Sequence, residues 1–319
     1  MNEKAYICVL NEECGADLLD TTIMSSVIEP LIISQSGAIF IYRIALVCLL
    51  LCIFYWRNKA AEAYCELAMQ AKGRSDRKNY SRKGLFIGSS EAAKVFAANS
   101  PELFMKQHPF APFRWRKITC VFTHYYFSHK RHKKYLSPLQ LEINERILAL
   151  KDGNDKTAVK YLINGLNALL PSPGTIVLFM PCSTAINYKR RFTPFSFYLK
   201  EECPKLVNGY WAIRITEDRQ SLHTQKGRSN IDLEKNYVIN MDLRGKKVII
   251  FDDIMTSGKS LREFAAEIKA MGGIVEGAIF AARTFKMPTY HRIWFVALID
   301  YYMECKTNNA RKQYLRHRN

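Results

Sequence analysis

Several short, mainly apolar runs organise the central and C-terminal chain. Those at 118–127, 175–180, 246–251 and 274–282 are rich in Ile, Val and Phe and end at polar or small residues. Continuous rather than alternating apolar character is the pattern of strands covered on both faces. Between the runs lie stretches with helical spacing. One opens at Ser137-Pro138, a serine cap followed by proline at a tolerated first position, and reaches about Leu150. Asp152-Gly153-Asn154 breaks it, a second helical stretch stops at Pro171, and a third covers 260–271. Strand, helix and strand in alternation predict an α/β fold with a mainly parallel sheet flanked by helices.

The N-terminal part follows another pattern. Residues 37–56 form one apolar run, which as a helix covers roughly 30 Å, the hydrocarbon thickness of a bilayer. Tyr55 and Trp56 suit the interface, and Arg57 and Lys59 follow at once. Arg43 lies nearly two turns inside, where its stem reaches towards one surface or meets a partner helix. The run starts late and follows acidic sequence, which argues against a cleaved signal peptide. Ahead of it, Glu3, Glu12, Glu13, Asp17, Asp20 and Glu29 face only Lys4; behind it come Lys72, Arg74, Arg77, Lys78, Arg82 and Lys83. The positive side stays in the cytoplasm. The expectation is a single-pass helix in the cell (inner) membrane, N-terminus outside and the α/β domain cytoplasmic.

Five segments follow. Residues 1–36 are acidic, 37–56 the transmembrane helix, and 57–112 a basic juxtamembrane linker with short helices. Residues 113–288 form the α/β domain, and 289–319 a C-terminal helix and basic tail. Within the linker, 60–72 has helical composition, 73–84 is polar, basic and expected to be loose, and 89–98 reads as a serine-capped helix. Residues 292–304 are apolar and aromatic, a helix packing on the domain or on a protein partner. The polar tail 306–319 is expected to fray and suits anionic lipid or nucleic acid.

The densest chemistry lies in Phe251-Asp252-Asp253-Ile254-Met255-Thr256-Ser257-Gly258-Lys259-Ser260. An apolar strand runs into two acids, a small-residue loop follows, and a helix begins. Backbone N–H groups of Thr256, Ser257 and Gly258 can close round a phosphate, at the positive end of the helix dipole, with hydroxyls of Thr256, Ser257 and Ser260 as further donors. The acids would repel that phosphate, so they face sugar hydroxyls or a divalent ion. Phosphate on one side and diol or metal on the other describes a ribose 5-phosphate site. A Walker A loop also ends in Gly-Lys-Ser, but it needs glycine where Asp253 stands. An ordinary acidic turn would not require the whole order of strand, acid pair, small loop and helix.

Net charge of +18 suits anionic ligands, nucleic acid or an anionic membrane, without choosing among them. Nine cysteines without a framework fit a reducing compartment. Cys120, His124, His129 and His132 cluster loosely, but their Tyr-, Phe- and Lys-rich surroundings favour a basic aromatic strand and turn over zinc.

The 246–260 stretch resembles the PRPP-binding motif of type I phosphoribosyltransferases. By that resemblance Asp252 and Asp253 hold the ribose hydroxyls, and Thr256, Ser257, Gly258, Lys259 and Ser260 hold the 5′-phosphate. Pro181-Cys182-Ser183-Thr184, after the 175–180 run, looks like the family's pyrophosphate loop. Lys189-Arg190-Arg191-Phe192 resembles the Arg-Gly-Phe segment of the ComF-like branch, with Arg191 in place of glycine. Segments 214–216, 219–222 and 228–230 resemble its flexible loop. The resemblance implies PRPP as ligand, Mg²⁺ bridging hydroxyls and pyrophosphate, and Lys189, Arg190, Arg219 and Arg228 meeting the pyrophosphate. ComF-like proteins often begin with paired C-x-x-C motifs, absent here, and Thr256 stands where 6-oxopurine enzymes carry a base-contacting Asp. Residues 113–127 and 193–198 are candidates for an acceptor hood, and no residue stands out as the base for an acceptor. Two classes therefore stay open. One is a transferase or PRPP-cleaving enzyme. The other is a PRPP or nucleotide sensor acting on a partner or membrane, since similar domains serve in DNA uptake and in bacterial defence, including retrons.

Overall fold

The computed structural model describes residues 35–153, 159–217 and 235–316. The chain divides into two units, Met1–Arg57 and Asn58–Asn319. A helix, α1 (Gln35–Gln70), belongs to both. From Ile39 onward it is long and apolar enough to cross a membrane, and none of its most apolar stretch is buried within the protein. The helix read separately at 60–72 is its continuation, because no Gly or Pro interrupts the chain from Trp56 to Gln70.

The second unit is built on a six-stranded sheet. Its strands are β1 (Phe113–Trp115), β2 (Ile118–Tyr126), β3 (Ile176–Phe179), β4 (Val207–Asn208), β7 (Lys247–Met255) and β8 (Ile274–Thr284). The order is β1-β2-β8-β7-β3-β4, and only the β1–β2 pair is antiparallel. The apolar runs are the central strands, and all four residues of β3 are buried. A separate antiparallel pair is formed by β5 (Ile213–Ile215) and β6 (Tyr237–Ile239).

Helices α4 (Pro138–Lys151), α5 (Val159–Leu169), α6 (Ala185–Glu202) and α7 (Lys259–Ala270) accompany the sheet. Helix α4 starts at Ser137-Pro138 as expected, and Ser137 and Gln140 form a capping box there. On α5, Gly165 lets the helix lie against β8: a Cβ there would stand 2.2 Å from Ile279 Cγ2. From β3 the chain passes through α6 to β4 on one side. From β7 it passes through α7 to β8 on the other. Right-handed crossovers in opposite directions put α6 and α7 on opposite faces. The connections thus diverge between β3 and β7, the point that in open α/β sheets marks the ligand crevice at the strands' carboxyl ends.

A second core lies beside the sheet. It joins the end of α1, α2 (Arg74–Phe86), α3 (Ser90–Asn99) and α8 (Tyr290–Arg316). Segment 73–84, expected to be loose, is therefore mostly helix. Its polar residues have distant partners: buried Arg77 donates to the carbonyls of Met69, Tyr135 and Leu136 at 2.9, 3.1 and 3.1 Å. Lys78 and Arg82 pair with Asp300 and Glu304 of α8 at 2.6–3.1 Å. The tail expected to fray from 306 is helical to Arg316. No Gly or Pro occurs between Tyr290 and Arg316 to stop that helix.

Candidate functional site

The acid pair owes its position to the unequal lengths of the strands beside it. Pairing of β3 with β7 ends at Phe179 opposite Phe251, with one further bond from Met180 N–H to the Phe251 carbonyl at 2.9 Å. On the other edge β7 stays paired with β8 through Asp252, Ile254 and Met255. Asp252 and Asp253 therefore lie within the strand, not after it as the sequence suggested, and border the crevice only on the β3 side. Each carboxylate folds back on the next backbone amide: Asp253 N–H donates to Asp252 Oδ1 at 2.8 Å, and Ile254 N–H to Asp253 Oδ1 at 2.7 Å.

Alternation along the strand decides what each acid faces. Phe251 packs on α6, its ring centroid 4.7 Å from Phe195 and 6.1 Å from Phe192. Asp253, two residues on, projects to the same face, about 6.6 Å further along the strand. Arg191 stands four residues before Phe195, about 6 Å back along the helix. The two advances match, and Arg191 Nη1 comes within 3.0 Å of Asp253 Oδ2. The approach is an ion pair too oblique for a hydrogen bond, so this oxygen is buried without a hydrogen-bond donor. Asp253 is 7% exposed.

Charge is unevenly compensated here. The Asp252 carboxyl is pushed well above the usual carboxylate range, first by burial and then by the negative charge of Asp253, while Arg191 pulls it down. Burial raises Tyr126 at the end of β2, and Asp253 adds to the shift. Two carboxylates with one guanidinium leave room for a further positive charge or for hydroxyl donors. The buried Asp253 Oδ2 without a donor fits either Mg²⁺ or a sugar diol.

Beyond β7 the loop turns sharply into α7. Gly258 is left-handed, with φ +75°, and stands at the N-cap of α7, which has no side-chain cap. A Cβ at Gly258 would lie 2.4 Å from Trp115 Cζ2, so both the turn and the close ring demand glycine. Thr256, Ser257, Lys259 and Ser260 are exposed. Thr256 Oγ1 lies 3.0 Å from Thr284 Oγ1, and Ser257 Oγ accepts from Lys259 N–H at 3.3 Å.

Pro181-Cys182-Ser183-Thr184 follows β3 across the crevice from the acids. Thr184 caps α6, accepting from Asn187 N–H at 3.1 Å. Asn236 Nδ2 donates to the carbonyls of Cys182, Ser183 and Glu217 at 3.2, 3.1 and 3.1 Å, tying this loop to the start of β6. The Cys182 thiol is buried, and burial pushes it up to about 12, which makes a reactive thiolate there unfavourable. Lys189 and Arg190 are in α6 and turn away from the acids. Arg190 Nε donates to the Asp152 carbonyl at 2.8 Å, and both residues line a groove of about 840 Å³ with Thr193, Pro194, Phe197 and Tyr198. The 193–198 segment considered as a hood is thus on that groove, whereas β1 of the other candidate brings Trp115 onto the loop.

Arg219 and Arg228 lie outside the described residues. Among the described residues no group of three or more His, Cys, Asp or Glu could hold a metal ion. Cys120 is buried in β2, and His124 packs edge-on to Phe110 and Tyr161. Sequence reasoning missed the role of Arg191, noticing it only as a departure from glycine. Its one signal was its place a turn before Phe195.

No protein-family model matches the chain. A stretch of 56 residues, 17% of the chain, is 39% identical to the orotate phosphoribosyltransferase of Sordaria macrospora. The same extent and identity hold for the orotate phosphoribosyltransferases of Neurospora crassa and Metarhizium anisopliae. The chain spans only 24% of the length of these curated relatives. Over that stretch it is related to the phosphoribosyltransferases, and its mostly parallel α/β sheet is consistent with their fold.

Proposed function

We propose that the chain is a membrane-anchored phosphoribosyltransferase-like protein that binds PRPP at the β3/β7 crevice. One observation carries this reading: two adjacent carboxylates, one with a buried oxygen lacking a donor, stand before a left-handed glycine turn that opens α7 without a side-chain cap. Asp252 and Asp253 accept hydrogen bonds from the ribose 2′- and 3′-hydroxyls. The 256–260 loop and the N-terminus of α7 hold the 5′-phosphate. Backbone groups of 181–184 face the pyrophosphate. Asp252 and Asp253 are the residues that would hold Mg²⁺, which would supply positive charge to the leaving pyrophosphate.

Arg191 links the two ends of this site. In this structure it pairs with Asp253. Once hydroxyl donors satisfy that carboxylate, the guanidinium is free to pair with pyrophosphate oxygens, for which its fork is suited. Cleavage of the C1′–O bond gives the ribose positive character and the leaving group negative charge, and the residues assigned above compensate both. Arg190 would join only after leaving the Asp152 carbonyl, and Lys189 only after turning from the α6 groove; Arg219 and Arg228 remain assigned to the flexible loop by resemblance.

A sensor without turnover is the second reading. The engaged Arg191 favours it, because a ligand that must displace an ion pair is suited to switching between two states. The ComF-like branch, DNA uptake or defence belong to this reading as settings for the same site, with nucleic acid or a protein as partner. PRPP and Mg²⁺ added to the purified chain, with pyrophosphate release followed for a set of bases, separates the two. Turnover lost in Asp252→Asn/Asp253→Asn supports the enzyme. Saturable PRPP binding without release supports the sensor, and neither binding nor release refutes both.

For topology, α1 is the anchor with the second unit cytoplasmic. A C-terminal reporter active only in the cytoplasm should give signal, and a reporter active only outside should not; the reverse contradicts the orientation.

A further inference from the structure

The outer side of α8 is apolar where a solvated helix would be polar. Trp294, Phe295, Leu298, Ile299, Tyr302 and Met303 all lie on it; Phe295 is 59%, Tyr302 64% and Met303 54% exposed. The inner side buries Ile293 and Ala297 against the second core. An apolar stripe of this kind on the exposed side of a helix marks an interaction surface.

Charge says what covers it. Between Tyr290 and Lys312 the helix has two acids, Asp300 and Glu304. Both turn inward and pair with Lys78 and Arg82 of α2. The outer side is left without an acid. It continues past the aromatic residues into exposed Lys306 and Lys312, with Arg311 also exposed. A second copy brought face to face would add like charge to like. A water-exposed aromatic stripe running into lysines instead matches the interface of an anionic bilayer, where Trp and Tyr rings sit at headgroup level and basic side chains meet lipid phosphate.

We infer that α8 is an interfacial helix, which lays its 294–303 stripe into the headgroup region of an anionic leaflet and fixes the second unit on that surface. The inference rests on the membrane reading of α1, since a tethered chain meets lipid at high effective concentration. It is independent of PRPP.

The test uses the full chain in proteoliposomes, with the photoreactive residue p-benzoylphenylalanine replacing Tyr302 in one preparation and Leu50 of the α1 span in another. Vesicles are made of phosphatidylcholine alone or with phosphatidylglycerol. The expected result is lipid adduct at both positions. The adduct at 302 rises with phosphatidylglycerol and falls at least fivefold in Lys306→Glu/Lys312→Glu or at high salt. Lipid adduct at 50 with none at 302, or a chain-to-chain product at 302, overturns the inference and leaves the anchor standing. Lipid adduct at 302 with none at 50 overturns the anchor and leaves α8 as a peripheral contact.

Discussion

Arg191→Met removes the cation that Asp253 faces while keeping most of the side chain's volume. The pair is close to buried, with side chains 13% and 10% exposed and a separation of 3.0 Å. Removing one partner of such a pair costs about 3–5 kcal/mol, because the remaining charge stays desolvated. For a unit of this size each kcal/mol shifts Tm by about 2–4 °C, so the expected loss at pH 7.5 is about 6–20 °C. The assay is thermal unfolding of the full chain in detergent micelles, followed by near-ultraviolet circular dichroism. Acid should narrow the gap: Arg191 is what pulls the Asp252 carboxyl down, so without it Asp252 takes up its proton more readily and the uncompensated charge falls. Asp253→Asn in the same chain should restore most of the lost Tm, since the two substitutions act on one contact. A loss below about 2 °C, a gap that widens towards pH 5, or no rescue by Asp253→Asn would refute the assignment of Arg191 as the counterion of the acid pair.

Asp252→Asn should raise the Tm of the unliganded protein at pH 7.5 while abolishing PRPP binding. The folded protein holds the Asp252 carboxyl above its ordinary range, so its stabilising contribution is present in acid and lost as pH rises through that folded value. The variant's advantage should therefore shrink towards pH 4, and an unchanged or lower Tm at pH 7.5 contradicts the reasoning. Gly258→Ala adds about 1–2 kcal/mol for a left-handed non-glycine residue and a collision with Trp115. Titration should show PRPP binding weakened at least tenfold, with Trp115→Ala recovering only part. Arg77→Met leaves three carbonyls without their donor and should cost about 2–4 kcal/mol, read as a lower Tm at unchanged PRPP affinity.

The strands were legible because a parallel sheet covered on both faces leaves continuous apolar runs, and Val248–Phe251 and Ile176–Phe179 carry that signal undiluted. The 256–260 turn was legible because small residues and Gly258 have few other uses between a strand and a helix. Helix α2 was not, because what orders Arg77 and Arg82 lies at Tyr135, Leu136, Asp300 and Glu304, far along the chain. A polar segment read alone looks solvated. The helical course of 306–316 was legible in principle from its lack of Gly and Pro, but its basic composition suggested fraying. Arg191 needed two periods at once, the strand's two-residue repeat from Phe251 and the helix's turn from Phe195. Lys189 and Arg190 show the converse: composition marked them, and helix geometry sends them to the Asp152 turn and the α6 groove.

The central claim is that the crevice between β3 and β7 grips a phosphorylated pentose by its diol and its phosphate together. Calorimetric titration of PRPP with Mg²⁺ into the full chain tests it most directly, with ribose 5-phosphate and inorganic pyrophosphate titrated alongside. Saturable PRPP binding, tighter than either fragment and lost in Asp252→Asn/Asp253→Asn, is the predicted result. Equal heats from the wild type and that double variant, or pyrophosphate binding as tightly as PRPP, would contradict it.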